Sequence, residues 1–173
     1  MIISLIGYMG SGKSHISKLL SKKINFKLID LDKEISLRNN ASISEIFQKK
    51  GEIFFRKQER ELLIHHLNTE ENIILSLGGG TPAYYNNIDL LNEKSVSFYL
   101  KANIPTLCER LLKQKTKRPL IANINDEDLP EFIAKHLFER LPFYTKSQFS
   151  VATDSLTPEE IVEEIIRLLP HHH

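Results

Sequence analysis

The sequence predicts an α/β fold built on a parallel sheet covered on both faces. Three observations predict it. Short runs rich in Ile, Leu and Val alternate with stretches of helical periodicity, the signature of βαβ units. The runs are apolar on both alternating sides, as strands buried between two helical layers must be. A glycine-rich segment, Gly7–Ser14, joins the first run to the first helical stretch, where parallel sheets bind ligands beyond the carboxyl ends of their strands.

In chain order, Ile2–Ile6 reads as a strand ending at Gly7, and Lys13–Lys23 as a helix with Ile16, Leu19 and Leu20 on one side. Phe26–Ile29 is a second strand, ending at Asp30. Ser42-Ile43-Ser44-Glu45 is a capping box opening a short helix, with Gly51 as its C-cap. Phe54–Leu67 is a further helix, and Ile73–Leu77 a strand stopped by Gly78-Gly79-Gly80. Val96–Leu100 is the fourth strand, and Pro105 opens a helix to about Lys113. Lys113–Asp128 is polar and irregular, as lids over active sites often are. Leu129–Leu141 is helical, Phe149–Ala152 is the fifth strand, and Thr157-Pro158-Glu159-Glu160 caps a last helix to Leu169.

Length and charge narrow the function. With 173 residues, one domain over residues 1–169 is expected. Pro170-His171-His172-His173 reads as a tag remnant. A net charge of +1 excludes a nucleic-acid binder driven by bulk charge. The one cysteine, Cys108, excludes an internal disulfide framework and fits a reducing, cytoplasmic setting. It reads as core-facing. No apolar run reaches the roughly 18 residues of a membrane helix, so no membrane partner is expected. His65 and His66 are adjacent and do not share a helix face, which argues against a metal role.

Gly7-Tyr8-Met9-Gly10-Ser11-Gly12-Lys13-Ser14 matches G-x-x-x-x-G-K-[ST] between a strand and a helix. Inward-turned N–H groups and the helix's positive end suit a phosphate chain. Lys13 then reaches the β and γ oxygens, and the Ser14 hydroxyl ligates Mg²⁺. Asp30 and Asp32 lie two apart, on the same side if the segment is extended. One suits the water shell of Mg²⁺ and the other an acceptor hydroxyl, although Asp32 taken alone reads first as a cap for a helix starting at Lys33.

Arg56 and Glu59, three apart, meet on one helix face. They read either as a surface ion pair or as a guanidinium held to grip a carboxylate. The three glycines 78–80 suit a ligand lying against bare main chain, or a plain turn. Arg118, on the irregular stretch, can reach phosphates on closure, or be a solvated charge. Arg140 offers a second cation, with Tyr144 four residues on.

Together these motifs resemble the shikimate kinase family, small phosphate-loop kinases of aromatic amino-acid biosynthesis, over the chain up to about Leu169. The resemblance implies a three-layer αβα fold like that of nucleoside monophosphate kinases, with five parallel strands in the order 2-3-1-4-5. It implies a lid at about 113–128 and a substrate-binding segment at about 32–60. It implies transfer of the γ-phosphoryl of ATP to the 3-hydroxyl of shikimate, by a cytoplasmic monomer using Mg²⁺.

Carried over, Gly10, Ser11, Gly12, Lys13, Ser14, His15, Arg110 and Arg118 contact the nucleotide. Ser14 and Asp30 serve the metal. Asp32, Arg56, Glu59, Gly78, Gly79, Gly80 and Arg140 hold the acceptor, with the Gly79 N–H, Arg56 and Arg140 as its grip and Glu59 orienting Arg56. Lys13, Asp32 and Arg118 are the catalytic set. Both proposed substrate cations are Arg, the planar reader of carboxylates.

Leu77 stands where the family usually has a smaller or hydroxyl-bearing residue. Asp154-Ser155-Leu156-Thr157 stands where some members place a basic or amide side chain against the base, so weak base selectivity is expected. Two other readings remain at this level: another small-molecule phosphate-loop kinase, such as a gluconate kinase, and a non-catalytic nucleotide-binding module.

Overall fold

Alternation along the strands decides which helices lie on which face. The computed structural model describes residues 1–170; the histidines read as a tag lie outside the described residues. The strands are β1 (Ile2–Ile6), β2 (Lys27–Asp30), β3 (Ile73–Ser76), β4 (Val96–Lys101) and β5 (Phe149–Ala152). They form one sheet of order β2-β3-β1-β4-β5, every neighbouring pair parallel. On the central strand β1, Ile2 and Ile6 enter one core while Ile3 and Leu5 enter the other. Ser4 is also fully buried and is satisfied by the Ser95 hydroxyl at 2.6 Å.

Two helices cover the Ile3–Leu5 face: α1 (Lys13–Ile24), through Ile16 and Leu20, and α7 (Pro158–Leu168), through Ile161, Val162 and Ile165. The other face carries α2 (Leu31–Asn39), α3 (Ile43–Leu67), α4 (Asn87–Lys94), α5 (Ile104–Leu112) and α6 (Leu129–Tyr144). Both predicted capping boxes form, at Ser42–Glu45 and Thr157–Glu160. Cys108 is buried in the core, as its position on α5 predicted.

Four local readings are corrected. Gly51 does not end a helix; with φ 83° and ψ 168° it kinks α3, which resumes immediately. Leu31–Asn39 is helical and follows β2 without a loop, because Leu31 and Ile35 both find the core. The helix Asn87–Lys94 was not legible, since only Ile88 and Leu91 among its apolar positions turn inward and no side chain caps its start. α6 continues past Pro142 to Tyr144. A proline there sacrifices one bond, to the carbonyl of exposed Phe138, where water can substitute. The added turn brings Tyr144 into the core.

Candidate active site

The phosphate loop leaves the carboxyl end of β1 and closes on α1. Gly10 (φ 80°) and Gly12 (φ 94°) take left-handed conformations that only glycine adopts at little cost. The Lys13 ammonium lies within the curve, donating to the carbonyls of Gly7 at 2.6 Å and Tyr8 at 3.1 Å. Burial pushes its pKa down to about 8 against the pull of Asp32. The Ser11 hydroxyl is buried without a hydrogen-bond partner behind the loop, on the side of Gly7. A cleft of about 420 Å³ is lined by this loop, Ser14, Asp30, Asp32, Arg110 and Arg118.

The two aspartates reach that cleft, but not by strand alternation. Asp30 ends β2 and caps α2, accepting from the Lys33 N–H at 3.1 Å. The cap expected of Asp32 is therefore supplied by Asp30, and Asp32 stands free in the first turn of the helix. Burial raises the Asp32 carboxyl to about 6, with the charges of Glu59 and Asp30 adding to the effect.

On the far side of Asp32 the wall is the glycine triplet, and the structure revises why it is glycine. A Cβ on Gly78 would fall 2.8 Å from Asp32 Oδ1, and one on Gly80 would fall 2.6 Å from an Arg56 nitrogen. These two glycines make room for the protein's own site side chains. The expected ligand contact remains available only along the main chain.

Arg56 is held as the spacing predicted. Its guanidinium donates to Glu59 at 2.9 Å, and Glu59 is 1% exposed. The surface-pair reading is excluded by that burial. Glu59 in turn accepts from the Thr81 hydroxyl at 2.9 Å, the Thr81 carbonyl accepts from Asn87 at 2.9 Å, and Arg60 donates to Asn87 at 2.6 Å. Burial raises the Glu59 carboxyl, while Arg56 and Thr81 draw it back down. The Tyr84 ring lies 3.9 Å from the Arg56 guanidinium carbon and 5.7 Å from that of Arg140, while the Tyr84 hydroxyl donates to Glu52 at 2.6 Å.

Thr81, Asn87, Arg60 and Tyr84 were missed from the sequence. A separation of 22 positions between Glu59 and Thr81 gives no spacing to read. The threonine directly after the triplet was the only available signal.

Arg56 and Arg140 line one open cavity of about 650 Å³, together with Pro119 and Leu120 of the irregular stretch and His136. Arg56 Nε is buried without a hydrogen-bond partner, 3.7 Å from the Glu52 carboxylate, and Arg140 has no carboxylate within 4.0 Å among the described residues. A smaller cleft between Asp32, Arg56 and the triplet shares Arg56 with this cavity and Asp32 with the phosphate cleft. Arg118 lines the phosphate cleft and donates to Gln114 at 3.0 Å, so the 113–128 stretch borders both compartments. His136 also bonds the Tyr8 hydroxyl at 2.9 Å, tying α6 to the phosphate loop.

Arg110 sits at the opposite end of the loop, donating to the carbonyls of Gly10 and Ser11, each at 3.3 Å. Beside it a pocket is lined by His15, Ile16, Leu156 and Pro158. The Asp154 carboxylate faces away from that pocket, accepting from the Asn103 N–H at 2.9 Å. His65 and His66 lie off the site, and His66 pairs with Glu34 at 2.5 Å, fastening α2 to α3.

The chain is similar to known proteins over nearly its whole length. The family model for shikimate kinase matches residues 9–170. A curated shikimate kinase of Flavobacterium johnsoniae is 51% identical over 96% of this chain and 98% of its own. The crystal structure of shikimate kinase from Bacteroides thetaiotaomicron superposes with a TM-score of 0.91 at 34% identity, covering 97% of each chain. A shikimate kinase from Acinetobacter baumannii, solved in complex with shikimate, superposes at 0.86 with 26% identity, covering 96% of this chain and 91% of that one.

Proposed function

The chain belongs to the shikimate kinase family, and from that premise we propose how its residues carry the γ-phosphoryl of ATP to the 3-hydroxyl of shikimate. One observation carries the reading. Two arginines, Arg56 with a buried Nε that has no hydrogen-bond partner and Arg140 with no carboxylate within 4.0 Å among the described residues, line a cavity, and Arg56 also lines a small cleft that shares Asp32 with the phosphate cleft. An acidic, hydroxylated acceptor fits that pair of clefts: its carboxylate meets the arginines and a hydroxyl meets Asp32.

The phosphate chain of ATP lies in the loop Gly10–Ser14, bonded by main-chain N–H groups, with the start of α1 behind it. The Lys13 ammonium leaves its two carbonyls for the β and γ oxygens. The residues fit a divalent cation: Ser14 and Asp30 would hold Mg²⁺, which when bound neutralises charge on the β and γ oxygens. Arg56 and Arg140 clamp the acceptor carboxylate and thereby fix which hydroxyl faces Asp32. Asp32 orients that hydroxyl and takes its proton as the oxygen–phosphorus bond forms. Its raised pKa makes it a better proton acceptor than an exposed aspartate while leaving it ionised at neutral pH.

Lys13 and Arg118 stabilise charge on the transferring group, which is the larger part of catalysis in phosphoryl transfer. Arg110, His15 and the pocket beside them receive the nucleotide base. That pocket offers few base-reading side chains, which supports weak base selectivity.

Residues 1–169 act as one domain, with 113–128 as the lid and 32–60 as the acceptor-binding segment. A monomer is the state proposed, and ATP as donor supports a cytoplasmic setting. No nucleic-acid or membrane partner enters the reading. The test is ADP release by purified protein with Mg·ATP, with and without shikimate. Release that depends on shikimate, with shikimate 3-phosphate as product, is expected; release that does not depend on it overturns the acceptor assignment.

A further inference from the structure

Tyr144 is fully buried and lines none of the clefts, yet its hydroxyl donates to the carbonyl of Gly79 at 2.6 Å. Its ring is held in the core against Tyr99, with centroids 5.2 Å apart. Gly79 belongs to the wall shared by the phosphate cleft and the small cleft beside Asp32 and Arg56.

In a trans peptide the C=O and N–H point in opposite directions. The carbonyl of Gly78 is tied back by the Thr81 N–H at 3.2 Å, so the Gly79 N–H faces the other way. The carbonyl of Gly79 is tied back by Tyr144, so the Gly80 N–H faces away from Tyr144. Neither N–H has a protein acceptor among the described residues. A Gly-Gly peptide rotates easily, because neither flanking residue has a Cβ to resist it.

We infer that Tyr144 is a positioning residue for the acceptor: its hydroxyl locks the Gly79–Gly80 peptide so that the Gly80 N–H donates into the acceptor cleft. Tyr144 never touches the ligand. It acts from behind the wall, and the turn of α6 beyond Pro142 exists to deliver it there. The inference rests on the acceptor reading above.

Tyr144→Phe removes the hydroxyl and keeps the ring in the core. KM for shikimate rises roughly 3- to 10-fold, the weight of one net hydrogen bond. KM for ATP stays within about twofold. A purely structural role would instead move both constants together with Tm. A second measurement does not depend on the variant folding. In ¹⁵N-labelled wild-type protein, the Gly80 amide proton shifts downfield on addition of shikimate, and in Tyr144→Phe that shift shrinks.

A wild-type Gly80 amide unmoved by saturating shikimate, or an unchanged shikimate KM in Tyr144→Phe, overturns the assignment. Failure of the acceptor reading looks different: wild-type protein releases no ADP with shikimate, and both ideas fall together.

Discussion

Replacing Arg56 by lysine separates charge from shape at the acceptor site. The Arg56 side chain is 11% exposed and divides its guanidinium between tasks. One nitrogen is committed to Glu59 at 2.9 Å, and Nε is buried without a hydrogen-bond partner, 3.7 Å from Glu52. Lysine keeps the positive charge but has a single ammonium group. That group stays with Glu59, which is 1% exposed and cannot be left alone cheaply.

The loss is then the charge-assisted bond to the acceptor carboxylate, about 1.5–3 kcal/mol. At about 1.4 kcal/mol per tenfold, that is a rise of roughly 10- to 150-fold in KM for shikimate. In the proposed arrangement ATP contacts none of these atoms, so KM for ATP stays within about twofold. The assay is coupled ADP release, with each substrate titrated against saturating amounts of the other. Arg56→Ala removes the charge as well and destabilises the fold by about 3 kcal/mol, the low end for breaking a buried pair, because burial already biases Glu59 toward taking a proton. A shikimate KM within twofold of wild type in Arg56→Lys would refute the argument that the fork, and not the charge, grips the acceptor.

Asp32→Asn abolishes turnover while ATP binding persists, and unchanged turnover would remove Asp32 from the chemistry. The same variant is more stable at pH 7, by on the order of 1–3 kcal/mol in urea titration. The folded carboxyl titrates near 6, above its unfolded value, so the wild type loses stability as pH rises through about 4 to 6 and the variant does not. For activity the sign is reversed, because Asp32 must be ionised and Lys13 charged. At low substrate concentrations kcat/KM rises through about pH 6 and falls above about 8, and a flat profile across that range would exclude both groups. Gly80→Ala pushes the clamped Arg56 guanidinium off its seat beside Glu59, so KM for shikimate rises several-fold and Tm falls; an unchanged shikimate KM would contradict the geometry. Hydrogen exchange across 113–128 slows only when both ligands are bound, and equal rates with and without them would mean a static loop.

Local chemistry wrote much of this protein into its sequence. The phosphate loop is legible because the glycines, Lys13 and Ser14 that make it work are contiguous. The two capping boxes and the proline starting α7 are legible because their partners lie within one helical turn. The Arg56–Glu59 pair is legible as a pair for the same reason, but whether it was a surface ornament or a buried clamp was not, since burial depends on Thr81 and Asn87 arriving from beyond β3. Strand order came from family resemblance; the buried strands are too alike in pattern to dictate their own neighbours.

Tertiary structure alone decided the remainder. Asp30, not Asp32, caps α2, because Leu31 is drawn into the core and starts the helix one residue past the strand. Two of the triplet glycines are glycine because Asp32 and Arg56 fold back onto them. Tyr144 reaches Gly79 because α6 tolerates Pro142 where its lost bond faces water. Interactions within a turn of chain are fixed by spacing, whereas these contacts join segments 24 to 65 residues apart, and only the packed core brings them together.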